Sequence, residues 1–310
     1  MTPTTKTITL AHSPDADDLV MWWPLAGMRN ADGQPLDGSD GRPTLDTQGY
    51  TFEPVAADIQ ALNERAVSTG DLDITAISAF TYPFVQDRYR ITACGGSFGD
   101  GYGPKVVVRQ DSTVMCDGCL RGQRPKFAVP GDRTTAFCVL SVLMDGPFEF
   151  EAMPFHEIAG AVAEGRADAG VLIHEAQLTH AELGLREVAD LGAWWKQETG
   201  LLLPLGLNVV RRDLDERFGS GAGATIASLL TESVAHARAN PDTNRRFLLA
   251  RVGERPEWKD DALVERYLGM YVNDLTTDMG ERGTAALERL FGEAASRGLC
   301  PPVGVLDVVG

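Results

Sequence analysis

No stretch of this 310-residue chain approaches the run of about 18 apolar residues that a membrane span requires. The opening residues, MTPTTKTITLAHSPDADD, hold no apolar core of the length a secretory signal needs. The chain is therefore expected to work in the cytoplasm, away from membranes. Basic residues are the scarcer charge. The 28 Lys and Arg stand against 44 Asp and Glu, giving a net charge of −16. Such a surface repels phosphate backbones and anionic lipid, so nucleic acid is not an expected partner. Cysteine is sparse and odd in number, at five, which fits reduced thiols better than a disulfide framework. Two of the five form a lone Cys116-Asp117-Gly118-Cys119. A structural zinc site takes four ligands, and no second pair follows. The Gly, Arg and Pro around the pair read as a surface loop.

What is present is enough for two cores. Hydrophobic residues make up 44% and charged residues 23%, the balance of an ordinary globular protein, and the length suggests about two domains. The centre of the pattern is residues 169–206. The apolar run Val171-Leu172-Ile173 reads as a buried strand ending at His174. Open α/β sheets place their ligand crevice at that end of a strand, and histidine is the side chain best suited to moving a proton near neutral pH. A structural histidine at a strand end is the alternative. Glu175 is a poor orienting partner for it, because adjacent strand residues face opposite ways.

Two internal echoes organise the rest. Residues 66–78, AVSTGDLDITAIS, repeat in outline as 161–174, AVAEGRADAGVLIH. Each is a helix end, a glycine suited to a left-handed cap, an Asp, a short strand and a polar residue. Ser78 and His174 thus occupy equivalent ends. Thr7–Leu25 and Phe127–Met144 repeat as strand, Pro-containing polar turn and helix start. The first turn, His12 to Asp18, caps a helix with Ser13 and acidic groups favoured at the positive end of its dipole; a cation held by Asp15, Asp17 and Asp18 is the other reading. The second turn is Pro130-Gly131-Asp132-Arg133-Thr134-Thr135. Residues 94–103 are glycine-rich but lack the phosphate-loop ending, so they are expected to form a wall of the cleft. Residues 29–49 read as a surface loop, and 220–297 as helical. Strands Lys105–Arg109 and Leu205–Arg211 are expected to be the two crossovers. The predicted architecture is two similar α/β lobes facing a cleft: residues 1–109 with 205–310, and residues 110–204.

Several motifs in this order carry a resemblance. They are Ser13-Pro14-x-x-x-Asp18, Gly103-Pro104-x-Val106-Val107-Val108, Pro130-Gly131-x-x-Thr134-Thr135-Ala136, Ile173-His174-Glu175, Asp190-Leu191-Gly192-Ala193-Trp194-Trp195 and Leu203-Pro204-Leu205-Gly206. Together the chain resembles the menaquinone-biosynthesis enzymes of the futalosine route. It looks most like the 1,4-dihydroxy-6-naphthoate synthases, and more distantly like the chorismate-dehydratase branch. The resemblance implies a periplasmic-binding-protein-like (type II) fold. It implies a carbon–carbon lyase that converts cyclic dehypoxanthinyl futalosine, a small molecule carrying a carboxylate, to 1,4-dihydroxy-6-naphthoate, without metal or organic cofactor. It also implies His174 as proton acceptor, with Ser78, Thr134, Thr135, Ser13 and Asp18 at the substrate. Two positions depart from the family. The usual Cys-Pro-Asn-Asp-Thr turn is Asp15-Ala16-Asp17-Asp18-Leu19 here, and Ala76 stands where a Lys is common. Both make the cleft less welcoming to an anion. A solute-binding or sensing protein on the same fold, or a related enzyme with another small-molecule substrate, are the alternatives.

Overall fold

The computed structural model describes residues 6–30, 32–36, 38–174, 176–253 and 255–310. Its strands are β1 (Lys6–His12), β2 (Tyr50–Ala56), β3 (Ile74–Ser78), β4 (Tyr89–Thr92), β5 (Ser97–Gly99), β6 (Lys105–Arg109), β7 (Phe127–Val129), β8 (Phe150–Ala152), β9 (Ala169–Leu172), β10 (Leu185–Asp190), β11 (Leu203–Arg211) and β12 (Val308–Val309). They form two sheets. One has seven strands in the order β12-β4-β11-β3-β1-β2, with β5 paired to one end of β11; the other has five in the order β10-β6-β9-β7-β8.

The internal echo in the sequence is an echo in topology. β1 lies parallel to both β2 and β3, and β3 antiparallel to β11. In the second sheet β7 lies parallel to β8 and β9, and β9 antiparallel to β6. Each sheet feeds matching helices. α1 (Ala16–Ala26) follows β1, and α2 (Ile59–Ser68) precedes β3. α3 (Asp117–Gln123) lies beyond β6; α4 (Thr135–Met144) follows β7, and α5 (Phe155–Ala163) precedes β9. Asp58 caps α2 through the Gln60 N–H. The matched glycines after α2 and α5, Gly70 and Gly165, have φ of +59° and +76°, a conformation closed to most side chains.

One strand sits differently from its reading. Lys105–Arg109 was expected to cross between lobes as part of the first. Instead β6 pairs on both edges inside the five-stranded sheet, with β9 and β10. Its Val106, Val107 and Val108 are fully buried, and such a run needs a neighbour on each side. The chain therefore passes between the sheets ahead of Lys105. There Gly103 and Gly192 meet backbone to backbone, and a Cβ on Gly192 would lie 1.9 Å from the Tyr102 carbonyl oxygen. That contact explains why two of the motifs need glycine. After β11 the chain is helical up to Ser296, and the helix Ala222–Ala239 packs on α1. No helix among the described residues is long and apolar enough to cross a membrane.

The Cys116–Cys119 pair is a second correction. It opens a short helix, α3, with Cys116 as its N-cap, and is not loop throughout. Cys119 N–H donates to Cys116 Sγ at 3.4 Å, and the two sulfurs lie 2.9 Å apart. A thiol acceptor at the N-cap substitutes for the usual Ser or Asp, a signal the Gly, Arg and Pro flanks obscured.

Candidate active site between the two sheets

A pocket with about 760 Å³ of empty space opens between the sheets. It is lined by all seven residues singled out from the sequence: Ser13, Asp18, Ala76, Ser78, Thr134, Thr135 and His174. They arrive from four chain segments that the two echoes bring face to face. Gly95 and Ser97 of the glycine-rich segment also line it.

On the second-sheet side, Thr134 is the N-cap of α4. Its hydroxyl donates to the Gly131 carbonyl at 2.8 Å and accepts the Phe137 N–H at 3.2 Å. The Thr135 hydroxyl donates to the Leu205 carbonyl at 2.9 Å and accepts the Phe80 N–H at 3.1 Å. Both hydroxyls are thus engaged with the protein. The first intrahelical bond is Cys138 N–H to Thr134 carbonyl, so the Thr135 and Ala136 N–H groups precede it and face no helical acceptor.

On the first-sheet side, fully buried Asn63 clamps Ser78. Its Oδ1 accepts the Ser78 N–H at 2.8 Å, and its Nδ2 donates to Ser78 Oγ at 3.0 Å. Asp18 accepts the Ser13 N–H at 2.7 Å. Burial pushes the Asp18 carboxyl up from its ordinary value, with His12 and the Ser13 hydrogen bonds opposing. His12 donates from Nδ1 to the Ser13 carbonyl at 2.7 Å, and burial depresses its imidazole against the pull of Asp18. Ala76 presents only a methyl group, on the β3 floor.

His174 follows β9 with φ of +55°, in the left-handed region. Its ring packs edge-on to Phe155 with centroids 4.8 Å apart. Its Nδ1 lies 3.1 Å from Asp15 Oδ2, while its Nε2 is buried with no hydrogen-bond partner among the described residues. Glu175, weighed as a partner, lies outside the described residues. The Asp15 carboxylate, wholly buried, meets Arg255 through its other oxygen at 2.9 Å. Asp17 accepts from the Tyr267 hydroxyl at 3.2 Å. The acidic turn is therefore divided among separate partners. Among the described residues no group of three or more His, Cys, Asp or Glu is placed to hold a metal ion.

Four pocket residues escaped the sequence reading. Gln177 donates from Nε2 to the Tyr271 hydroxyl at 2.8 Å, and Asn208 from Nδ2 to the Gly95 carbonyl at 2.9 Å. The Gln177 Oε1 and Asn208 Oδ1 atoms are buried without partners among the described residues and belong to pocket-lining residues. Tyr267 and Tyr271 complete the wall from the helix Asp261–Tyr271, and burial pushes the Tyr271 hydroxyl well up. Nothing local marked any of the four, since their segments read only as helix, strand or turn.

Comparison with known proteins decides the family. Residues 8–296 match the menaquinone biosynthesis family model. The chain belongs to the menaquinone-biosynthesis family. It is 35% identical over 303 residues to a 1,4-dihydroxy-6-naphthoate synthase of Streptomyces coelicolor, covering 96% of each chain. It is 39% identical over 251 residues to one of Thermus thermophilus, covering 81% of this chain and 86% of that one. A solved protein of Archaeoglobus fulgidus superposes with a TM-score of 0.77 at 36% identity, over 94% of this chain and 98% of that one. The alkanesulfonate-binding protein of Xanthomonas axonopodis superposes with a TM-score of 0.65 at 14% identity, over 97% of both. That last likeness shows the fold, which is periplasmic-binding-protein-like, as the motifs implied.

Proposed function

We propose that this menaquinone-biosynthesis enzyme is a carbon–carbon lyase that converts cyclic dehypoxanthinyl futalosine to 1,4-dihydroxy-6-naphthoate, with His174 as general base. The relatives named as synthases support the reaction. The observation that carries the residue is the buried His174 Nε2 in the pocket wall, without a hydrogen-bond partner among the described residues, since such an imidazole nitrogen is available to a carbon-bound proton. The substrate carboxylate is received by the Thr135 and Ala136 N–H groups at the start of α4, where a helix favours an anion. The Ser78 hydroxyl already accepts from Asn63, and its proton goes to the ligand. Two features ease the acidic turn's repulsion. Burial biases Asp18 toward its neutral form, and Arg255 neutralises Asp15.

Purified protein incubated with cyclic dehypoxanthinyl futalosine should release the naphthoate. His174→Asn should lower kcat by about 100- to 10,000-fold at unchanged thermal midpoint. Tight binding without turnover would favour the solute-binding alternative, and neither binding nor turnover would point to another substrate.

A further inference from the structure

The contact between His174 and Asp15 spans the cleft. His174 follows a strand of the five-stranded sheet, whereas Asp15 lies between β1 and α1 on the seven-stranded side. The separation is 3.1 Å, yet Asp15 Oδ2 makes no aligned hydrogen bond among the described residues. Active-site bonds of this kind commonly tighten only around bound ligand. The other carboxylate oxygen is held by Arg255 at 2.9 Å, and the Arg255 guanidinium stands 5.5 Å over the Phe155 ring. Phe155 in turn flanks His174. Arg255 comes from the C-terminal helical region and Phe155 from α5, so this contact crosses the cleft as well.

We propose that Asp15, clamped by Arg255, is a positioning residue that holds His174 as its Nδ1–H tautomer, with the Nε2 lone pair aimed into the pocket, and that it does so only with the two lobes closed. The inference rests on His174 being the base. A carboxylate can only accept from a neutral imidazole, so a proton on Nδ1 leaves Nε2 as acceptor. Buried Asp15 would be costly if unpaired, and Arg255 pairs with it and holds it in place. Because the two halves of the pair sit on opposite lobes, opening the cleft removes the orientation and closing restores it. Substrate capture and base alignment are thereby one event.

The tautomer is read directly from long-range nitrogen–proton spectra of protein labelled at histidine, with His174→Asn identifying the signal. The wild type saturated with 1,4-dihydroxy-6-naphthoate should show Nδ1 protonated and Nε2 bare. Asp15→Asn should shift the ring toward Nε2–H and lower kcat by about 10- to 1,000-fold with KM within about threefold. Arg255→Gln should give a smaller loss in the same direction, and it serves if Asp15→Asn does not fold. A wild-type ring in the Nε2–H form, or an Asp15→Asn enzyme with wild-type kcat while His174→Asn is inactive, would overturn the positioning role alone. A fully active His174→Asn would instead remove the base on which it rests.

Discussion

The Thr135 hydroxyl joins the two halves of the molecule, donating to Leu205 on β11 and accepting from Phe80 beyond β3. A threonine hydroxyl has one proton to give, and this one is spent inside the protein. Its two bonds therefore tie α4 to the first-sheet side of the cleft. Thr135→Val keeps the shape and leaves the Phe80 N–H without its acceptor. An unmade buried hydrogen bond costs about 1–3 kcal/mol. The variant should have a larger radius of gyration without ligand by small-angle scattering, and a KM raised roughly 5- to 100-fold. Thr135→Ser should behave as wild type. An unchanged KM in the valine variant would refute the closure role.

Asn63 holds Ser78 from beneath. Asn63→Ala removes both partners of Ser78 and strands its buried N–H, a loss of about 1–3 kcal/mol. The urea unfolding midpoint should fall accordingly, and KM should rise more than kcat falls. Asn63→Asp keeps the acceptor for the Ser78 N–H and should recover part of the stability. Equal midpoints for the alanine variant and wild type would show that the clamp contributes nothing.

His12 sets an acid limit on stability. Burial depresses its imidazole below the ordinary 6.5, so between those values the unfolded chain binds the extra proton and the fold does not. The contribution is complete above pH 6.5 and is lost as pH falls toward the folded value, by at most about 1.4 kcal/mol per pH unit. Asp18, pushed up by burial, acts with the opposite sign over its own window. Unfolding free energies at pH 7.5, 6.5 and 5.5 (chosen as about one unit either side of the ordinary value) should therefore fall more steeply in wild type than in His12→Gln. Identical slopes would contradict the buried neutral His12.

The thiols should react in two groups. Cys116 is exposed and Cys119 partly so, and its hydrogen bond with Cys116 depresses the Cys119 thiol. Cys94 and Cys138 are buried, and burial pushes Cys94 up to about 11 and Cys138 well above the ordinary thiol value. Since the thiolate is the reactive form, a disulfide reagent on native protein should modify Cys116 and Cys119 first, and Cys94 and Cys138 only after unfolding. Peptide mapping that finds Cys94 or Cys138 labelled early would show the native core to be open.

The chain alone determined its elements and their pairing by type. The periods of Thr7–Leu10 and Val171–Ile173 and the glycines after α2 and α5 are local physics, so strand ends bearing Ser78 and His174 could be read directly. The repeat of these units implied two facing lobes, and all seven residues drawn from the sequence line one pocket. What the chain could not show was partnership across distance. Asp15 reads locally as a helix cap, yet its carboxylate makes no cap bond and meets His174 and Arg255, the latter 240 residues away. Gln177, Asn208, Tyr267 and Tyr271 join the pocket only because two sheets and a C-terminal helix converge on it. Likewise β6 took its place in the second sheet because burying three successive valines needs a strand on either side, and only the assembled sheet supplies both.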